Sequence, residues 1–383
     1  MGVVNQYVAK MPMWLAIVMA LVSFPALSNQ VDADQQTASP HVVFINPGSK
    51  EDPFYRLVDR FMRASAEDLG IHLEVIYGSR NHILSKNEAL KVLLRDKLPD
   101  YIFLINIKKN MLDVIPRANQ QGVKVFMFNG GLLAEDREKY GFPESKYPNW
   151  IAEYVPDEIQ AGYILAKNLI DKALAEGLTD KDGTLYIAGI GGTRKTTSEL
   201  RIEGLRRAVS EYPNVKIVKL AYGYWEKDKA KFIAEQVLKQ TPKLSVIWNA
   251  SDGMALGAAE AIVGMGKVPN KDVLVGGIDW AAVAVDEVNK GTLSSTVGGH
   301  FMDGGWGIVM VHDYHRGYPI QNVLGQSKFS MLTDDNVAEY IKYFGKGDFS
   351  GIDFKRFSKA HNPELRIYDF SLKNILNQLN SAQ

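Results

Sequence analysis

The sequence predicts an α/β fold: two Rossmann-like βα domains with parallel sheets, joined by a hinge of three crossing strands. Three observations carry this. Short apolar runs alternate with segments whose apolar residues recur at helical spacing, the pattern of a parallel sheet wound by right-handed crossovers. The alternation runs through two half-chains of similar pattern, with no repeat of short period. The chain has 383 residues, and at roughly 150 residues per domain that length suggests two.

Taken in order, Lys10 precedes an apolar run from Trp14 to Leu27 that is short and punctuated for a membrane span. Ala26-Leu27-Ser28 supplies small residues for cleavage, so residues 1–28 read as an export signal and Asn29 as the mature start. An uncleaved anchor is the competing reading. Residues 29–40 are a polar leader, and His41 to Ile45 is the first strand. Asp52 then offers an N-cap and Pro53 suits the first helical position. Phe54, Leu57, Val58, Phe61 and Met62 follow at helical spacing, and Gly70 ends that helix. Ile71 to Tyr77 alternates like a strand, 83–97 reads as a helix ended by Pro99, and Tyr101 to Asn106 is a buried strand. Residues 110–121 read as a helix and Val123 to Asn129 as a strand. The irregular stretch 130–149 is expected to hold the first crossing between domains and a surface insertion.

The pattern resumes with helices at 157–175, 197–211 and 226–240 and strands at 184–189 and 215–221. Leu244 to Gly264 is the clearest βα unit: Val246-Ile247-Trp248, a polar turn Asn249 to Gly253, then an alanine-rich helix. Val273 to Ile278 is a strand ending in Asp279-Trp280, 281–290 a helix, and Leu293 to Val297 a strand. Gly298-Gly299-His300 reads as the second crossing, Asp303 to Arg316 as a helix, and Phe329 to Leu332 as the third crossing. The expected division is 41–129 with 300–328, then 130–299 with 329–354, followed by a surface extension over 355–383.

Lys plus Arg and Asp plus Glu each number 44, so the formal net charge is zero. That balance argues against a nucleic-acid partner, which favours a basic face. With no cysteine there is no disulfide, thiolate metal site or cysteine nucleophile. Gly189 to Thr196 departs from a phosphate-binding loop, because Arg194 stands where glycine must precede the lysine. His312 and His315 lie three apart on a helix without an obvious third ligand, so a solvated helix face is the simpler reading and no metal is expected. No nucleophile elbow or zinc-protease motif occurs. Neither an enzyme nor a cofactor is expected.

In a parallel sheet, ligands bind at the carboxyl ends of the strands. Asp52, Phe54, Tyr55, Asn129, Arg201, Trp225, Ser251, Asp252, Asp279, Trp280 and His300 all fall at or near such ends or crossings. Several have plainer readings. Asp52, Ser251 or Asp252 can simply cap helices, Phe54 can be core, Arg201 a surface charge, Trp225 a cover over the cleft and His300 a hinge residue.

Five stretches in order resemble the type I periplasmic solute-binding proteins, the ribose- and galactose-binding group. They are Asp52-Pro-Phe-Tyr55, Phe126-Met-Phe-Asn129, Gly191-Gly-Thr193 through Arg201-Ile-Glu-Gly204, Asp252-Gly-Met-Ala-Leu-Gly257 and Gly277-Ile-Asp279. The likeness spans about residues 41–335 and implies a monomeric periplasmic receptor that closes over a sugar-like ligand. Rings would pack on the sugar's C–H faces while Asp, Asn and Arg bind its hydroxyls. The partner implied is the permease of an ABC transporter, or alternatively a membrane sensor kinase or chemoreceptor. Departures bear on the ligand. The loop after the Tyr101 strand reads Ile107-Lys108-Lys109-Asn110 without the group's acidic residue, Glu199 replaces an arginine, and Gly299 or His300 replaces a hinge glutamine.

Overall fold

The computed structural model describes residues 39–194 and 196–381. The expected export signal and most of the polar leader lie outside the described residues. The first sheet is built by β1 (His41–Asn46), β2 (His72–Tyr77), β3 (Tyr101–Leu104), β4 (Lys124–Phe128) and β5 (Trp150–Pro156), with α1 (Pro53–Asp68), α2 (His82–Val92), α3 (Val114–Gln120) and α4 (Ala134–Tyr140) between them. The chain then passes through α5 (Glu158–Ala175), β6 (Leu185–Gly191), α6 (Thr196–Ser210), β7 (Val215–Tyr222), α7 (Lys227–Gln240), β8 (Leu244–Asn249), α8 (Asp252–Gly264), β9 (Leu274–Ile278), α9 (Ala282–Asn289) and β10 (Ser295–Gly298). It ends with α10 (Asp303–His315), β11 (Leu324–Ser327), β12 (Ser330–Leu332), α11 (Val337–Phe344) and α12 (Leu372–Ser381).

The described strands form two six-stranded sheets, ordered β11-β5-β4-β3-β1-β2 and β12-β10-β9-β8-β6-β7. Every pairing is parallel except β10 with β12. This is the expected α/β architecture. Its strands are continuous apolar runs because both faces are covered. In β1, Val42 and Phe44 join one core, whereas Val43 and Ile45 join the other with Ala89, Val92 and Ile115.

The crossings differ from expectation at one place. Trp150 to Pro156 pairs with β4, so the first passage between sheets comes after Pro156 and not within 130–149. Prolines at 148 and 156 bracket this strand and hide it in the sequence, yet a strand's ends tolerate proline. The other passages run from Gly298 to His300 and from Ser327 to Ser330. All three lie side by side. Asp157 N–H donates to the Ser327 carbonyl at 3.1 Å, Phe329 N–H donates to Gln160 Oε1 at 3.0 Å, and the His300 and Phe329 rings sit 4.8 Å apart.

Two helices are shorter than their patterns suggested. The one expected over 83–97 stops at Val92. The one expected over 110–121 begins at Val114, where Pro116 falls in the first turn, the position that needs no N–H donor. The segment 355–383 is more than a surface extension. Phe354, Phe357 and Ile375 are buried in the main core, and Phe370 stacks on Trp306 at 4.5 Å.

Candidate functional site

The site grows from a close contact between α5 and α6. Gly162 faces the Arg201 carbonyl and Gly204 faces the Ile159 carbonyl so closely that a Cβ at either would collide. That approach sets Arg201 beside Glu158, the first residue of α5. Arg201 is 3% exposed. Its Nε donates to Glu158 Oε2 at 2.6 Å, and its Nη1 donates to the Ala250 carbonyl at 2.7 Å and to Asp279 Oδ1 at 3.1 Å. The guanidinium also lies 6.0 Å from the Trp225 ring and 5.9 Å from the Phe329 ring. A buried arginine with two carboxylates and two aromatic faces is held rigidly.

Asp279 comes directly after β9 with φ 134°, and Trp280 follows at φ 56°. Consecutive left-handed residues other than glycine are strained and persist only where the surroundings fix them. Here Asp279 N–H donates to the Val297 carbonyl at 2.7 Å. Two residues on, the Ala281 N–H donates to Asp252 Oδ2 at 2.8 Å. Asp252 Oδ1 accepts from the Thr296 hydroxyl at 2.7 Å. The strain places the Asp279 carboxylate between Arg201 and His300, whose Nε2 is 3.7 Å away.

His300 opens the return to the first half and is almost fully buried. Its ring stacks on Phe54 at 4.6 Å and leans on Phe329, and its Nδ1 has no hydrogen-bond partner among the described residues. Phe54 meets Tyr55 edge-on at 5.2 Å. Asp52 caps α1 by accepting from Phe54 N–H and Tyr55 N–H at 3.2 Å each, and its other oxygen pairs with Arg80 on the rim. At the same edge of the first sheet Asn129 stands at φ 53°. Neither its amide oxygen nor its amide nitrogen has a partner among the described residues.

Burial dominates the electrostatics. It pushes Asp252 up to about 7, with repulsion from Asp279 adding to the effect. Asp279 is pushed up to about 6 by burial, opposed by Arg201 and reinforced by Glu158 and Asp52; a quarter of its side chain stays exposed. Burial and then the Arg201 charge hold His300 well below the ordinary imidazole range, so it is neutral. Burial raises Glu158, opposed by Arg201. Burial also raises the Tyr55 phenol, helped by Asp52. The result is a nearly charge-balanced set of fixed donors and acceptors between aromatic faces, suited to a neutral polyhydroxyl compound.

The structure thus brings together Asp52, Phe54, Tyr55, Arg201, Trp225, Asp279 and His300. It turns Trp280 and Asp252 inward beside this cluster. Trp280 is 1% exposed; its ring covers Gly298, and its Nε1 donates to the Thr296 carbonyl. Asp252 is fully buried with both oxygens engaged. Ser251 is buried at the start of α8 without a side-chain cap bond. His312 lies on no solvated face: it is buried against Asp313 and Ser358. Sequence reasoning missed Glu158 and Phe329. Glu158 was visible only as a first-turn acid beside the N-cap Asp157, and its partner lies 43 residues away. Phe329 read as the start of the third crossing, with no role in the site.

Residues 42–316 match the family described as periplasmic binding protein domain. The chain is 25% identical over 247 residues to the D-allose-binding periplasmic protein of Escherichia coli K12, covering 64% of this chain and 75% of that one. It is 24% identical over 279 residues to the ribose import binding protein of the same organism, covering 72% and 84%. Among solved structures, a periplasmic sugar-binding protein from Pseudomonas fluorescens aligns with TM-score 0.78 and 30% identity over 88% of this chain and 99% of that one. An ABC transporter periplasmic solute-binding protein from Actinobacillus succinogenes 130z, with bound D-allose, aligns with TM-score 0.68 and 20% identity over 79% and 100%.

Proposed function

The chain belongs to the periplasmic binding protein domain family, and from that premise we propose that it is a periplasmic receptor for a monosaccharide, handing its ligand unchanged to an ABC transporter permease. One observation carries the reading. A ring from the first half, Phe54, and a fixed donor–acceptor pair from the second, Arg201 and Asp279, converge on His300 at a crossing. A ligand held there touches both halves. Only such two-sided contacts favour a closed arrangement over an open one. The three adjacent crossings are the hinge, and the two sheets with their helices are the lobes.

Asp52, Tyr55, Arg201 and Asp279 are assigned to the sugar hydroxyls and Phe54 and Trp225 to its C–H faces, with Asn129 supplying an amide. The curated relatives are named for binding allose, ribose, apiose and galactofuranose, which favours an aldose. The apiose and ribose relatives are named for import, and no observation favours the sensing alternative.

The test is calorimetric titration of the chain from Asn29, refolded from denaturant to strip ligand, with D-allose, D-ribose and galactofuranose. Saturable binding at one site, lost in Asp279→Ala, is expected. At about a thousand times its Kd the ligand adds about 4 kcal/mol of stability. A folded sample that binds none of a wider monosaccharide panel overturns the reading.

A further inference from the structure

Resting on the assignment of Asp279 to the ligand, we infer that Tyr340 is a positioning residue of the site, acting through Trp280, and that Val337–Phe357 is a strap coupling the site to α1. Tyr340 lies beyond the family match, which ends at residue 316.

The geometry runs in one direction. Asp279 and Trp280 share a strained turn, so the side chain of one is fixed by the placement of the other. Four groups restrain the Trp280 ring: Gly298 beneath it, the Thr296 carbonyl on its Nε1 at 3.2 Å, the Phe301 ring at 6.4 Å, and the Tyr340 ring at 5.0 Å and 61°. The first two belong to β10 and move with the second half. Tyr340 belongs to α11, on a segment that continues to the first half. There the Lys346 and Gly347 carbonyls accept from Arg60 of α1. Phe349 and Phe354 pack edge-on against Phe61 of the same helix, each within 5.3 Å. Asp68 at the end of α1 accepts from the Phe354 N–H at 2.8 Å.

The strap therefore holds α1, the helix that presents Phe54 and Tyr55, and the tryptophan beside Asp279. A cavity of about 100 Å³ lies between α1, α9 and α11, lined by Leu57, Trp280, Val285, Tyr340 and Phe344. Around this space α1 and α9 give the aliphatic Leu57 and Val285, and Tyr340 is the α11 ring that meets Trp280; Phe301, which packs on Phe61 of α1 at 5.9 Å, touches Trp280 more distantly at 6.4 Å. When the lobes close, Asp279 must be presented in the geometry that Trp280 sets. Pre-positioned acceptors bind more tightly than ones that must be ordered at binding.

The experiment compares Tyr340→Phe, Tyr340→Leu and Asp279→Ala with the parent chain. Hydrogen exchange is followed at Asp279 to Ala281 and, as a fold control, in β1, and affinity is measured with D-allose and D-ribose. Tyr340→Leu is expected to lose protection at Asp279 to Ala281 while β1 is unchanged, and to bind the sugar about tenfold more weakly. An edge-to-face ring pair supports a change of that order. Tyr340→Phe keeps the ring and is expected to match the parent in both readouts. Unchanged exchange at Asp279 to Ala281 in Tyr340→Leu overturns the positioning role, whether or not either sugar binds. Lost protection with full affinity overturns the coupling to the site. A parent chain that binds neither sugar, with exchange altered as expected, counts against the ligand assignment and leaves the Tyr340–Trp280 link standing.

Discussion

Asp252 holds Ala281 in place: its Oδ2 accepts the Ala281 N–H at 2.8 Å, two residues past the carboxylate assigned to the ligand. Its other oxygen takes the Thr296 hydroxyl. Asp252 is thus a brace for the Asp279 turn. Asp252→Ala leaves a half-buried N–H and a buried hydroxyl without acceptors. A loss of about 2–4 kcal/mol in urea unfolding is expected, together with weakened sugar binding as the Asp279 turn loosens. A destabilised variant with full affinity would show that the turn holds itself.

The same residue gives a pH signature. Burial raises its folded pKa to about 7, above the roughly 3.9 of an unfolded aspartate. The folded state therefore binds the proton more tightly. The stability it gains this way is complete below about pH 4 and is lost as pH rises to about 7. His300 acts with the opposite sign, since its pKa is lowered, so the parent profile mixes both. Asp252→Asn isolates the carboxyl. The parent-minus-variant difference in unfolding free energy should fall by on the order of 2–4 kcal/mol between pH 4 and pH 8. A flat difference would mean that Asp252 titrates normally.

Much of this site was legible in the sequence, for identifiable reasons. Asp279 and Asp252 follow apolar runs that only a buried parallel strand explains, and Asp52-Pro53 reads as a helix start from local chemistry alone. What could not be read was the direction of each side chain. Asp279 and Trp280 look like a carboxylate with its stacking ring, yet two successive left-handed residues send them apart. Asp252 looks like a ligand residue and is turned inward by Thr296 and Ala281. Glu158 and Arg201 meet only because Gly162 and Gly204 let two helices touch, a fact of packing that no local pattern carries. The strand at Trp150 was masked by prolines, and the burial of Phe354 and Phe357 by the charges around them.

Arg201 balances two carboxylates, and its removal should be costly in two separable ways. Arg201→Ala leaves Glu158 and Asp279 without their cation in a buried site. A destabilisation of about 3–5 kcal/mol is expected, with sugar binding abolished. Adding Glu158→Gln to it should restore part of the stability without restoring binding, because it removes one stranded charge. Urea unfolding and calorimetry of both variants check this. Equal stability of the single and double variants would show that Glu158 carries no stranded charge once Arg201 is gone.

Asn129 should separate binding from folding. Its positive φ favours glycine, and its amide has no partner among the described residues to lose. Asn129→Gly is therefore expected to leave the unfolding midpoint within about 1 kcal/mol of the parent, while sugar affinity falls about tenfold or more through a lost amide contact. Unchanged affinity would remove Asn129 from the site.

Asp313 anchors the carboxyl-terminal segment, and its pH signature runs opposite to that of Asp252. It is buried on α10 and accepts from the Ser358 hydroxyl at 2.5 Å, Lys359 N–H at 2.6 Å, Ala360 N–H at 3.2 Å and the Tyr368 hydroxyl at 2.9 Å. Burial alone would raise its pKa, but these donors and His312 outweigh burial and hold it below the usual range. Its stabilising share is thus present above about pH 4 and is lost as pH falls through the folded pKa. Asp313→Asn keeps the shape but sets an amide N–H₂ against one set of donors. At pH 7 it should cost about 3 kcal/mol and expose 355–381 to protease, while the remote sugar site keeps its affinity. The cost should shrink as pH falls through the folded pKa, where the parent carboxylate takes up its proton. Limited proteolysis at pH 7 and unfolding across an acid pH series test this. Resistance to protease in Asp313→Asn would show that the Trp306–Phe370 stack and the buried Phe354, Phe357 and Ile375 hold the segment without the carboxylate.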